Sequence, residues 1–153
     1  NTVLTYSDLI TNRKTDYKFD LEKFTNVAGK TGIYIQYAQV RANKLISTLN
    51  VGEQSISETS SKLDSLDRKL IIALANIEFY LELSVKNSEP HHLANYLYEI
   101  SNAFNAFYQA SNIKNIEDKI KKNQKIFITA LFIKYSHLVM SCLGIKPVEK
   151  MWL

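Results

Sequence analysis

Leu63, Leu66, Leu70, Leu74, Ile77 and Leu81 return at steps of three and four residues, which sets one apolar stripe along one face of a helix. That period does not suit a strand, where successive side chains face opposite sides of a sheet. It recurs in Ile33, Tyr34, Tyr37, Ala38, Leu45 and Leu49, and again in Leu93, Tyr96 or Leu97, Ile100, Phe104 and Phe107 or Tyr108. Four glycines and two prolines in 153 residues leave little turn material for a sandwich or barrel. The sequence therefore predicts an all-α bundle of five to six helices with no sheet.

The segments follow from these stripes. Residues 3–10 are weakly helical, 11–20 form a polar connector, and 21–27 form a short helix. Gly29 and Gly32 bracket a loop before a helix that runs to about Asn50. Residues 52–61 are polar and serine-rich, a loop ending at Ser61, which caps the leucine-striped helix. Ser88-Glu89-Pro90 starts the next helix with a hydroxyl cap, an acidic residue and a proline whose missing amide donor costs nothing there. That helix extends to about Ala110. The lysine-rich stretch 112–125 reads as a solvated connector. The last helix, from about Gln124 to Leu143, turns Phe127, Leu131, Tyr135, Leu138 and Cys142 inward, and Gly144 supplies a left-handed stop.

A chain of this length, 46% hydrophobic, suffices for one domain that buries on the order of 70% of its unfolded surface. Nineteen basic against fifteen acidic residues give a net charge of +4, which permits a polyanionic partner without requiring one. Only Arg13, Arg41 and Arg68 among the basic residues are arginines, so each stands where a lysine does not serve. The lone Cys142 excludes an internal disulfide, fits a reducing compartment, and reads as a small buried apolar residue. The apolar run 126–133, interrupted by Thr129, falls short of the ~20 residues of a bilayer span, so no membrane anchor is expected. A chain that begins at Asn1, without Met or a signal segment, is expected to be a fragment of a longer polypeptide.

Catalytic chemistry has no foothold in the sequence. No glycine-rich phosphate cradle, zinc spacing or Gly-x-Ser-x-Gly elbow occurs. His91 and His92 project about 100° apart on a helix, poor geometry for one metal. Asp64 with Asp67, and Glu78 with Glu82, read as solvent-facing helix charges. No catalytic or metal-binding residue is expected.

What stands out is Tyr37 and Arg41, one helical turn apart, a flat ring beside a planar guanidinium. Such a pair either packs at a helix interface with Arg41 on a carboxylate, or takes an unstacked base and its phosphate. Phe104 and Tyr108 repeat the spacing, with Asn102 and Asn105 beside them. If that pair lay next to Tyr37 and Arg41, the bundle would offer stacking faces and a cation together. Spacing alone leaves both possibilities open.

Longer motifs carry a resemblance. Tyr6-x-x-Leu9-x-x-x-Arg13-x-x-Asp16-Tyr17-x-Phe19-Asp20, followed by Gly29-Lys30-Thr31-Gly32-x-Tyr34-x-Gln36-Tyr37-Ala38-x-x-Arg41, resembles the start of the C-terminal anticodon-binding domain of arginyl-tRNA synthetases. Glu89-Pro90-His91-x-Leu93-Ala94-x-Tyr96-Leu97-Tyr98-Glu99, then Ala103-Phe104-Asn105-x-Phe107-Tyr108, is similar to its central helix, and Leu143-Gly144-Ile145-x-Pro147-x-Glu149-x-Met151 to its terminus. The three blocks stand in family order and span nearly the whole chain. The closeness of the Gln36 to Arg41 block to the arginyl pattern weighs against a cysteinyl or glycyl synthetase.

The resemblance implies that residues 1–153 form one C-terminal, DALR-type domain of a class I synthetase. The parent would be a cytoplasmic, monomeric arginine-tRNA ligase using ATP, arginine and Mg. Its catalytic domain is missing here, so this fragment would bind tRNA-Arg without charging it and hold no cofactor. By the family pattern Tyr37, Arg41, Phe104, Tyr108 and Met151 meet the splayed anticodon-loop bases, with Gln36 and Trp152 as further candidates, while lysines serve phosphates. This chain departs from the pattern at Gln39, His92, Asn95 and Lys150, and extends past Met151 with Trp152-Leu153. The competing class is a noncatalytic helical interaction module of a synthetase paralogue, without the ATP-binding signatures upstream.

Overall fold

The computed structural model describes residues 2–12, 14, 16, 26, 29–49 and 62–148. Among them are six α-helices and no strand: α1 (Thr2–Ile10), α2 (Gly32–Thr48), α3 (Ser65–Ala75), α4 (Ile77–Asn87), α5 (His91–Ser111) and α6 (Lys119–Cys142), with a 3-10 turn at Ile113–Asn115 before α6. The all-α bundle is as the stripes predict. The helix expected over 21–27 and the cap expected at Ser61 lie outside the described residues.

Helix α5 is the centre. It packs against α1, α2, α3, α4 and α6, and its Leu97, Ile100, Phe104 and Phe107 are fully enclosed. Phe104 stacks on Phe132 of α6 with ring centroids 4.2 Å apart and planes 4° from parallel. Two buried tyrosines tie the neighbours to this axis. The Tyr6 hydroxyl donates to the Ala94 carbonyl at 3.0 Å, and the Tyr96 hydroxyl to the Leu74 carbonyl at 3.0 Å. Burial pushes both phenols well above their ordinary range, so they stay protonated donors.

Thr31 starts α2, its hydroxyl accepting from the Tyr34 amide at 3.2 Å. Gly32 permits the close crossing of α1, since a Cβ there would lie 2.9 Å from the Thr2 carbonyl oxygen. Gly144 closes the chain after α6 at φ +68°, as expected, and the Ile145 amide reaches back to the Met140 carbonyl at 2.8 Å.

Several expectations are corrected. The leucine stripe is two helices, because Asn76 breaks it between α3 and α4. The start of α3 is held by a capping box in which Asp64 accepts from the Leu66 and Asp67 amides, both at 2.9 Å, while Asp67 accepts from the Asp64 amide at 3.2 Å. Asp67 is only 1% exposed, and the Lys125 ammonium sits 2.6 Å from it and 2.5 Å from Asp64. Neither Asp67 nor Lys125 is therefore a solvated surface charge. Ser88 does not cap α5; at φ 52° it is the left-handed end of α4. Helix α6 begins at Lys119, capped by Asp118, and so absorbs part of the expected connector.

The inward face of α6 is Ile128, Thr129, Phe132, Ser136, Val139 and Met140, rather than the predicted Phe127, Leu131, Tyr135, Leu138 and Cys142. Leu138 is 47% exposed and Cys142 is exposed too, while Leu131 and Tyr135 pack partly against the core. Apolar residues surround this helix on most sides, and by length and composition alone, at a mean hydropathy of 1.2, it could cross a membrane. Here its buried face packs against α2, α3 and α5.

Candidate nucleic-acid interface

The seam between α2 and α5 carries the site. Tyr37 and Arg41, one turn apart on α2, face Asn105 and Tyr108 on α5. The Arg41 guanidinium donates from Nη2 to the Tyr37 hydroxyl at 2.6 Å and from Nη1 to Asn105 Oδ1 at 3.3 Å. Its central carbon lies 4.4 Å from the Tyr37 ring centroid and 4.9 Å from that of Tyr108. Two tyrosines thus brace the guanidinium. The expected carboxylate partner is absent among the described contacts: an amide and a phenol leave the positive charge of Arg41 unneutralised. Of the five N–H donors of the guanidinium, the described residues engage two, which leaves others for an anion.

A cleft of about 440 Å³ opens at this point, lined by Tyr37, Val40, Arg41, Lys44, Leu45, Tyr108 and Lys114. A second, of about 340 Å³, shares Leu45, Tyr108 and Lys114 and adds Gln109, Asn112 and Ile113. Lys44 and Lys114 are exposed. The surface therefore combines aromatic rings, one planar cation, amide edges and two lysines, which is what unstacked bases and their phosphates require. Asn112, at φ 38°, turns the chain out of α5 so that Lys114 comes beside the cleft.

Further along the same seam, the Tyr34 hydroxyl donates to Asn102 Oδ1 at 3.1 Å and its ring lies 5.5 Å from Tyr98. Lys30 donates to Asn95 Oδ1 at 2.9 Å and stands 5.5 Å from the Tyr98 ring centroid. Sequence reasoning placed Tyr34 in helix packing only. The alternation of tyrosine and asparagine at turn spacing on α5 was the available signal.

The structure brings together Tyr37, Arg41 and Tyr108 at the surface, while the other described candidates, Phe104 and Gln36, are buried. Phe104 is 0% exposed, so its ring offers no face to a base; it lies beneath Tyr108, their centroids 6.0 Å apart. Gln36 is only 3% exposed and its amide is fully engaged inside the fold, so it does not touch a ligand either. Met151 and Trp152 lie outside the described residues. Asn105, Lys44 and Lys114 are the residues added.

Away from this seam, Glu89, His91 and His92 converge, with ligand-capable atoms within 4.8 Å of one another. The histidine rings tilt together, centroids 4.1 Å apart, which the 100° spacing does not anticipate. The Lys14 ammonium already sits 2.6 Å from Glu89 and, with His92, holds that carboxyl below its ordinary range against the opposing effect of desolvation. Burial, reinforced by the neighbouring His92, lowers His91. A cation there would compete with Lys14 and with the positive end of α5.

The bundle is the helical domain found in solved arginyl-tRNA synthetases. It covers 98% of this chain and 26% of the Plasmodium falciparum enzyme, with a TM-score of 0.80 and 28% identity. The Thermus thermophilus arginyl-tRNA synthetase shares the fold at a TM-score of 0.88 and 22% identity, again over 98% of this chain and 26% of that one. Residues 35–151 match the DALR anticodon binding domain, and the chain belongs to that family. Curated relatives include the arginine–tRNA ligases of Actinobacillus succinogenes, 38% identical over 95% of this chain, and Pasteurella multocida, 35% identical over 95%. The chain spans about a quarter of their length, 25% and 26% respectively.

Proposed function

We propose that this chain holds the anticodon loop of tRNA-Arg as the noncatalytic part of a longer arginine-tRNA ligase. The observation that carries the proposal is Arg41, braced by Tyr37 and Tyr108 at the mouth of a lysine-rimmed cleft, with Asn105 beside it. A splayed base stacks on the tyrosines, the guanidinium takes a phosphate or a base edge, and Lys44 and Lys114 neutralise the backbone. Met151 and Trp152 add an apolar and an aromatic contact from the C-terminal segment. Arginine activation with ATP and Mg belongs to the separate catalytic domain of the parent, a monomeric cytoplasmic protein without a membrane segment.

The test is a titration with anticodon stem-loops that differ only in the loop. Arg41→Ala and Tyr37→Ala are expected to weaken the arginine-specifying loop about 10-fold or more, since stacking contributes about 1–3 kcal/mol per base. Their helical circular dichroism should be retained. Equal binding of a loop with its middle anticodon base replaced would overturn base readout.

A further inference from the structure

A cation drawn into the packing of a fold is ordinarily met by a carboxylate, because taking charge out of water is costly. Lys125 follows that rule: it is 1% exposed, and Asp64 and Asp67 both bond its ammonium. Arg41 does not. Its guanidinium is half-buried where α2 meets α5, and the side chains that hold it there, Tyr37, Tyr108 and Asn105, include no carboxylate. Asn105 stands where an aspartate could. It is 6% exposed, and its Oδ1 accepts from the Arg41 Nη1 at 3.3 Å. An amide oxygen orients the guanidinium fork without cancelling its charge. The cleft continues the pattern, since Arg41, Lys44 and Lys114 line it and no Asp or Glu does. The adjoining cleft is likewise without an acid among its lining residues.

Resting on the RNA-binding reading above, we propose that Arg41 takes a backbone phosphate of the RNA loop rather than a base edge, and that Asn105 is the positioning residue that aims the guanidinium while leaving its charge to that phosphate. Against a base edge only one partner of the bond is charged; against a phosphate both are, and charge-assisted bonds are roughly twice as strong as neutral ones. Three cations around a cleft without an acid suit an anion. Tyr37 and Tyr108 hold the guanidinium in place, and the base next to the phosphate stacks on a tyrosine. An aspartate at position 105 has the shape of asparagine but closes an ion pair with Arg41, so the phosphate has to compete with it.

Two titrations with the anticodon stem-loop test this, with circular dichroism as the check on folding. In the first, Asn105→Asp is expected to weaken binding about 10-fold and to lower the log–log salt slope by about 0.7, the loss of one phosphate contact on single-stranded RNA. Asn105→Ala removes the tether and spares the charge, so it should cost about threefold at an unchanged slope. Asn102→Asp adds the same charge to the exposed face of α5 three residues earlier, away from Arg41, and should cost less than about threefold. In the second, stem-loops carry a methylphosphonate at one loop linkage at a time, which removes the phosphate charge and leaves the bases. One linkage should cost the wild-type chain about 10-fold and Arg41→Ala less than about twofold, a coupling that can be read even where Asn105→Asp folds poorly. An unchanged slope in folded Asn105→Asp, an equal fall of slope in Asn105→Ala, equal losses in Asn102→Asp and Asn105→Asp, or no linkage whose cost depends on Arg41 would each overturn the assignment. If Arg41→Ala weakens binding while any of these results is found, only the phosphate assignment falls. If Arg41→Ala binds as the wild type does, the RNA reading fails and takes the assignment with it.

Discussion

Arg41 shows how far a single position can be understood before packing is known. Its turn spacing from Tyr37 and its rarity as an arginine could be read directly, but Asn105 and Tyr108 became its partners only when α2 and α5 met. Arg41→Lys should therefore behave almost as badly as Arg41→Ala in RNA titrations. A lysine has no planar face to lie against two rings and no fork for simultaneous bonds to a phenol, an amide and a phosphate. Phe104 shows the opposite error, since an aromatic at turn spacing from a surface tyrosine can equally lie beneath it. Gln39, at 0% exposure, has no hydrogen-bond partner for either end of its amide among the described residues. Burying such a group costs about 1–3 kcal/mol, so Gln39→Met is expected to raise the unfolding free energy by a similar amount, measurable in urea.

At the scale of helices, the apolar stripes were legible, but most of the starts and the register were not. Asp64 and Asp118 hold starts that Ser61 and Gln124 were read to mark, and Ser88 ends α4 rather than capping α5. The stripe of α5 was readable because its buried apolar positions keep period with polar residues between them. In α6, Phe127, Leu131 and Ile133 are as apolar as the residues that are buried. The buried face also includes Thr129 and Ser136, whose hydroxyls donate back to the Lys125 and Phe132 carbonyls and so bury without loss. Lys125 and Asp67, 58 positions apart, gave no sign of forming one buried pair. Lys125→Met should cost about 3–5 kcal/mol because Asp67 is left charged and enclosed, and adding Asp67→Leu should restore much of the loss. Gly32→Ala should separate α1 from α2 at a cost of about 1–3 kcal/mol, since the opposing atoms are backbone and cannot swing away.

For the whole molecule, charge decides both stability and affinity. Desolvation raises the Asp64 carboxyl, but bonds from Lys125 and from the Asp67 and Leu66 amides outweigh it and leave it below its ordinary value. Glu89 is lowered as well. Folding is thus favoured above the ordinary carboxyl range, and that gain is lost as pH falls through the depressed values. His91 and His137 are lowered by burial, so the unfolded chain takes up protons first below about pH 6.5. Urea midpoints should decline gently from pH 6.5 and steeply below about pH 4. Binding should weaken with salt for every RNA tested, and Lys114→Ala should reduce the log–log salt slope by about 0.7 without changing the preference between loops. The central place of α5 also sets a clock. The amides of its buried central stretch, around Leu97, Ile100, Ser101 and Phe104, are bonded within the helix beneath its packed neighbours, so their hydrogen–deuterium exchange should require complete unfolding and report the total free energy of the domain. Helix α4, which leans mainly on α5 and only lightly on α3, can detach by itself and should exchange earlier.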